Sequence, residues 1–302
     1  MKIAILMSTY NGEKFLNEQL ESLYKQRFNG EMIVYIRDDG STDKTIQIID
    51  NWKLKMKIVL FEESNVGPAK SFWRLFTNRN IKADYYAFCD QDDVWDCLKI
   101  HEGTNRLSTE EDEALWCSNC SVINLDGEVI IDKMNNVTPN FSIESQFVCG
   151  TTQGCSMIFN NKLRDYILDK KINDIPMHDF VVLTYAIAKG KVIYDNRNFF
   201  QYRVHDKNVI ANKGKNGFAR MKSSLNRWFS KEHKNEISRY AQKFYMDNTS
   251  NLNNSTLGYI KCISECQSNI NSRIKLIVDK RSKSNNIKAE RSFKLRALLG
   301  IL

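Results

Sequence analysis

The 302-residue chain is 42% hydrophobic and 26% charged, with 13 Gly and 3 Pro. That globular composition excludes collagen-like, low-complexity and intrinsically disordered classes. Its net charge of +8 is unevenly spread: residues 213–302 hold 19 Lys+Arg against 6 Asp+Glu, a net +13, which leaves −5 for residues 1–212.

An acidic body with a basic tail points to an anionic surface as the tail's partner, membrane or nucleic acid; the plain alternative is a solvated helical face. No apolar run approaches the roughly 18–20 residues that span a bilayer. The opening run Ile3–Met7 is broken by Tyr10, Asn11 and Glu13, too early for a secretory signal, so a cytoplasmic location is expected. The eight Cys are scattered and are expected to be reduced.

In chain order, the first ninety residues alternate short apolar runs with amphipathic stretches. A strand over 2–7 precedes a helix with Phe15, Leu16, Leu20, Leu23 and Tyr24 at helical spacing. A second strand over 32–36 leads to a helix carrying Ile46, Ile49 and Trp52. A third over 57–61 leads to one with Ala69, Phe72, Trp73 and Phe76, and a fourth strand covers 85–89. Continuously apolar strands joined by helices predict a parallel, doubly wound α/β sheet. Further strands are expected over 115–123, 146–149, 156–159 and 191–194, the last leading to Phe199–His205, with a helix over 177–188. Beyond Asn208 the chain turns basic and helical, with Asn248–Thr256 as a linker candidate.

Ligands of such sheets lie beyond the carboxyl ends of the strands. There the chain places Ser8-Thr9-Tyr10-Asn11-Gly12, Asp38-Asp39-Gly40-Ser41-Thr42-Asp43, Asn65-Val66-Gly67 and Asp90-Gln91-Asp92-Asp93. Two carboxylate clusters at one edge are poorly explained by solvation. Asp90, Asp92 and Asp93 repel one another, no basic residue adjoins them in sequence, and a divalent cation is the simplest compensation. Oxygen ligands favour Mg2+ or Mn2+ over zinc, with positions left open for substrate phosphates. Asp43 suits a helix cap better than a ligand. Cys117 and Cys120 have zinc-like spacing but no matching pair.

In this order and spacing, these four segments resemble family 2 glycosyltransferases of the GT-A fold, over residues 1 to about 210. Gly154-Cys155, His178-Asp179 and Tyr202-Arg203-Val204-His205 support the resemblance, and the Asp-Gln-Asp-Asp-Val-Trp and Tyr-Arg-x-His forms resemble bacterial surface-polysaccharide enzymes, rhamnosyltransferases among them. The resemblance implies a mixed, mainly parallel α/β sheet flanked by helices. The catalytic domain would be 1–212, with a nucleotide-sugar half of about 1–112 and an acceptor half of about 113–212, followed by a basic helical region, 213–302. It implies a nucleotide cradle of Thr9, Tyr10, Asn11, Asp38, Asp39 and Asn65, with Asp90 at the ribose and Arg203 at the phosphates. Asp92 and His205 would be metal ligands, assisted by Asp93.

Inversion by direct displacement needs a base, and the resemblance implies Asp179, where a helix dipole would favour the ionised form. A bare helix-start role is the alternative. His178 and Gly154 would lie on the acceptor side. The implied partners are a UDP- or dTDP-sugar and a saccharide acceptor on a polyprenyl diphosphate. The tail lies outside the resemblance: its own residues Arg227-Trp228-Phe229 and Arg291–Leu299 interleave cations with apolar side chains and suit an anionic membrane surface, the alternative being a small helical domain packed on the catalytic one. Nucleic acid is disfavoured by the acidic edge. A sugar nucleotidyltransferase would want a Gly-rich basic first loop, which is absent; an inactive nucleotide-sugar-binding module of the same ancestry stays open.

Overall fold

The computed structural model describes residues 1–205, 235–284 and 286–302. The four expected units form as β1 (Lys2–Thr9), α1 (Leu16–Tyr24), β2 (Glu31–Asp38), α2 (Thr45–Lys53), β3 (Ile58–Glu62), α3 (Pro68–Thr77) and β4 (Tyr85–Cys89). Side chains alternate between the two faces of each strand. Ile3, Ile5 and Met7 pack with Leu16, Leu20 and Trp52 beneath α1 and α2, whereas Ala4 and Leu6 join Phe72 and Phe76 of α3. Burial on both faces is why these strands are apolar throughout. β1 pairs in parallel with β2 and β4, setting Thr9 level with Asp38 and Met7 level with Cys89. The loops that follow all emerge at one edge.

The chain continues through β5 (Val94–Trp95), α4 (Lys99–Leu107), β6 (Ala114–Ile123), β7 (Val129–Ile131), α5 (Ile143–Cys149), β8 (Met157–Asn160), α6 (Asn161–Asp169), α7 (His178–Lys189) and β9 (Lys191–Arg203). The strand order is β3-β2-β1-β4-β8-β6-β9-β5, with β7 attached to β6. β8 is antiparallel to both β4 and β6, and β9 is parallel to β6. β9 therefore runs in the direction of β4 and ends at the same edge, although more than a hundred residues separate them.

Three expectations change. Gln146–Cys149 belongs to a helix, because Ser142 caps it by accepting from the Ser145 N–H at 3.1 Å; a short apolar run cannot by itself distinguish strand from buried helix. The segments expected as separate pieces after Lys191 form the single strand β9. Asn248–Thr256 is a tight turn between packed helices: Asn248 is fully buried and donates to the Phe244 carbonyl at 2.9 Å, while Asn253 caps the next helix through the Thr256 N–H.

The described C-terminal part comprises α8 (Glu236–Asp247), α9 (Asn254–Ser264), α10 (Ile270–Val278) and α11 (Ile287–Leu299). Tyr240, Phe244, Tyr259, Phe293 and Leu302 belong to the same apolar cluster as Phe147, Val181 and Tyr185 of α5 and α7. Tyr185 also donates to Asp247 at 2.6 Å. Arg227-Trp228-Phe229 lies outside the described residues. No helix among the described residues is long and apolar enough to cross a membrane.

Arg164 of α6 is buried and donates to the carbonyls of Phe76, Asn78 and Ile81 at 2.9, 2.7 and 2.8 Å, and to the Tyr86 hydroxyl at 3.1 Å. Arg164→Met strips partners from these acceptors, so a loss of about 3 kcal/mol or more is expected in chemical denaturation. A midpoint equal to the parent's would show that water replaces the guanidinium freely.

Candidate active site

The first two loops are held by their own acids. Asp38 is buried; it accepts from Thr9 Oγ1 at 2.9 Å, Ser41 Oγ at 2.5 Å, and the N–H groups of Gly40 and Ser41 at 3.1 and 2.7 Å. Thr9 and Asp38 thus shape the turn and do not line the cleft. Asp39 does line it. Its carboxylate pairs with buried Arg37 and accepts from the Val66 and Gly67 N–H groups, both at 2.9 Å. Gly67 can present that N–H because φ is +82°, a left-handed value that favours glycine. Asp43 accepts from the Thr45 N–H at 3.0 Å, as a residue opening α2 should. Tyr10, 49% exposed, lines the cleft with Asn11 and Asn65. Gln91 fixes the Tyr10 backbone from both sides, accepting at 2.9 Å and donating at 3.1 Å.

The acidic turn after β4 is clipped to the end of β9 by β5, which pairs Val94 with Gln201 and Trp95 with Phe200. This clip brings His205 Nε2 to 2.7 Å from Asp92 Oδ2. Both side chains face the cleft beside Asp90. Arg203, expected at the phosphates, is buried behind this wall. Its guanidinium donates to the Asp92 carbonyl at 2.9 Å and to Glu18 of α1 at 2.5 Å, and its backbone N–H to Asp93 at 3.2 Å. Asp93 is also buried behind the wall, with its second oxygen lacking a conventional hydrogen bond. The absence of a basic neighbour in sequence is offset in space: buried Lys99 donates to the Cys155 carbonyl, lies 3.6 Å from the centre of the Trp95 ring, and favours ionisation of Asp90.

Burial, then the Asp92 charge, then that of Asp179 push the Asp90 carboxyl up to about 7. Asp93 is pushed well up, chiefly by burial and then by Asp92 and Asp90. Asp90, Asp93 and Cys155 offer ligand atoms within 4.8 Å of one another. The Cys155 thiol is pushed well up by burial; a protonated sulfur is a poor ligand for a hard cation. The cleft-facing groups suited to a divalent ion are therefore the Asp92 carboxylate and His205, with Asp90 beside them and Asp93 behind.

Asp179 opens α7 and lines the same cleft. It accepts from the Gly154 N–H at 3.0 Å and, through its other oxygen, from the Phe180 N–H at 2.7 Å. His178 is buried, stacked 4.1 Å from Phe72, and held down to about 4 by burial, so it is neutral. A Cβ on Gly154 would lie 2.9 Å from His178 Nε2 and 3.0 Å from Asp179 Cβ. Glycine is thus what allows the loop to approach this carboxylate. The cleft holding these groups has a volume of about 1670 Å³ and extends to Ser292, Phe293 and Arg296 of α11.

Residues 4–166 match the sequence profile described as Glycosyl transferase family 2. The chain belongs to glycosyl transferase family 2. It is 28% identical over 241 residues to the dTDP-rhamnosyl transferase RfbG of Shigella flexneri, covering 75% of this chain and 81% of that protein. It is 27% identical over 217 residues to the UDP-Glc:alpha-D-GlcNAc-diphosphoundecaprenol beta-1,3-glucosyltransferase WfaP of Escherichia coli, covering 70% and 81%. In three dimensions it is similar to S. aureus TarS 1-349, solved in complex with UDP-GlcNAc. The TM-score is 0.62 at 16% identity, over 99% of this chain and 80% of that one. The mixed, mainly parallel sheet with flanking helices is the GT-A fold of family 2 enzymes.

The raised Asp90 carboxyl fixes a pH dependence. A carboxyl whose folded value of about 7 exceeds its unfolded one contributes stability below the unfolded value. That contribution is lost as pH rises from about 4 through 7. A divalent cation held beside Asp90 would favour its ionised form, so the stabilisation by Mn2+ in thermal unfolding is expected to be larger at pH 8 than at pH 5.5. Equal shifts at both pH values would contradict the site.

Proposed function

We propose that this family 2 enzyme moves a sugar from a UDP- or dTDP-sugar to a hydroxyl of a saccharide carried on a polyprenyl diphosphate, with inversion at the anomeric carbon. The setting is cell-surface polysaccharide synthesis on the cytoplasmic side of a membrane. The observation that carries this reading is the convergence of Asp90, Asp92, His205 and Asp179 on one cleft. The relatives RfbG, a dTDP-rhamnosyl transferase, and WfaP, a UDP-Glc-dependent glucosyltransferase, support a nucleotide-linked donor, and the diphosphoundecaprenol-linked acceptor of WfaP supports a lipid-linked one.

In this reading the exposed ring of Tyr10 stacks on the base. Asp39, held rigid by Arg37 and two backbone N–H groups, accepts from the base's N3–H. Asn11 and Asn65 complete the cradle, and Asp90 meets the ribose. A Mg2+ or Mn2+ ion held by Asp92 and His205 would neutralise the departing diphosphate. Asp179 accepts the proton of the attacking hydroxyl. It sits in the first turn of α7, where the Gly154 and Phe180 N–H groups fix the position of its two oxygens. His178, neutral and buried, packs beneath Asp179 and contributes no second base.

Asp179→Asn should leave donor affinity in calorimetry within about twofold and lower turnover by about 10³-fold, the scale of a lost general base. Turnover near the parent's would remove Asp179 from that role. Gly154→Ala should displace the same carboxylate while retaining it, giving about a tenfold or greater fall in turnover, again with donor affinity unchanged. Undiminished turnover would mean that the loop yields to the added methyl.

A further inference from the structure

We propose that the outward faces of α10 and α11 form the surface by which this protein rests on an anionic lipid bilayer. The proposal takes its direction from the lipid-linked acceptor above, but exposure and charge alone argue the surface. The sequence pattern led to an expectation that Arg291–Leu299 would lie on a membrane as a whole; the structure divides it. Phe293 and Ala297 are buried in the protein core. Leu295, Leu298 and Leu299 are exposed, as are Ile287 and Arg291.

These exposed positions recur at intervals of three and four, so they occupy one side of the helix. The neighbouring α10 repeats the arrangement: Ser272 and Leu276 face inward, while Ile270, Ile274 and Val278, spaced by four, are 67%, 53% and 71% exposed. The two helices pack side by side, with the Arg273 guanidinium against Gly300 at the end of α11. Seven large aliphatic side chains in two adjacent short helices form an unusually apolar surface for a protein facing only water.

Charge selects the occupant. Residues 270–302 contain nine Lys+Arg and two Asp+Glu. Both acids have partners, Asp279 with Arg281 and Glu290 with Lys294, each at 2.7 Å. Lys275, Lys280, Lys283, Lys288 and Arg291 are exposed around the aliphatic ridges. Apolar side chains ringed by cations match the boundary between acyl chains and anionic headgroups.

The side of α11 that carries Ala289, Ser292, Phe293 and Arg296 lines the far end of the catalytic cleft. A bilayer against the opposite side would hold the cleft's acceptor end close to the headgroups.

The test is flotation of the full chain with vesicles of phosphatidylcholine alone or with about 30% phosphatidylglycerol, at low and high salt. The parent is expected to float only with the anionic vesicles and less at high salt. Ile274→Asp combined with Leu295→Asp and Leu298→Asp should reduce bound protein about tenfold, as should Lys288→Glu combined with Arg291→Glu. Circular dichroism and hydrolysis of soluble donor should stay at parent levels. Failure of the parent to float, or flotation unchanged in both variants, would overturn the proposal. So would self-association abolished by these substitutions without vesicle binding, which would assign the patch to a second copy. Failure of the catalytic reading would appear instead as an active Asp179→Asn enzyme and would leave flotation untouched.

Discussion

Two carboxylates held 4 Å apart repel by roughly 4 kcal/mol at an effective dielectric of 20, and this chain gathers Asp90, Asp92 and Asp93 in one turn with Asp179 near enough to raise Asp90 further. Much of the surrounding architecture answers that repulsion. Lys99 contributes a buried cation from below, and Arg203 ties the turn's backbone to α1 through Glu18. β5 clips the turn to β9, so that the imidazole of His205 arrives beside Asp92. The compensation is incomplete, as the raised carboxyls of Asp90 and Asp93 show. That residual repulsion is what a bound cation would relieve.

The two ends of the cleft are built differently. Beside β1 and β2, acids hold the backbone: Asp38 holds the turn after β2, and Asp39 holds the loop before α3. The pocket edge is therefore rigid before any ligand arrives. Elsewhere in the cleft, α5, the loop around Gly154 and α11 contribute side chains from widely separated parts of the chain.

The strand–helix alternation of the first ninety residues was readable because β1, β2 and β4 are buried on both faces and each helix on one. The acidic turn was readable for the same reason, since it follows a buried strand. Three features were not. Arg203 sits beside His205 in sequence and looks like a phosphate ligand; only the pairing of β9 with β5 and β6 reveals that it points behind the wall. Lys99, one helix beyond the acids, reads as an ordinary surface lysine until α4 turns it inward. Thr9 and Asp38 carry the right chemistry for a nucleotide, but they are neighbours across a parallel pair and satisfy each other first. In each case the deciding contact spans a distance along the chain that periodicity cannot register.

The apolar cluster shared by α5, α7 and the helices after Glu236 has an engineering consequence. A shortened protein ending before Tyr240 would leave Phe147, Val181 and Tyr185 without their covering rings. Such a fragment should be expressed poorly and stick to itself. Exchanging tails between relatives would therefore succeed only if the inward residues of α8, α9 and α11 travelled together with the surface they cover.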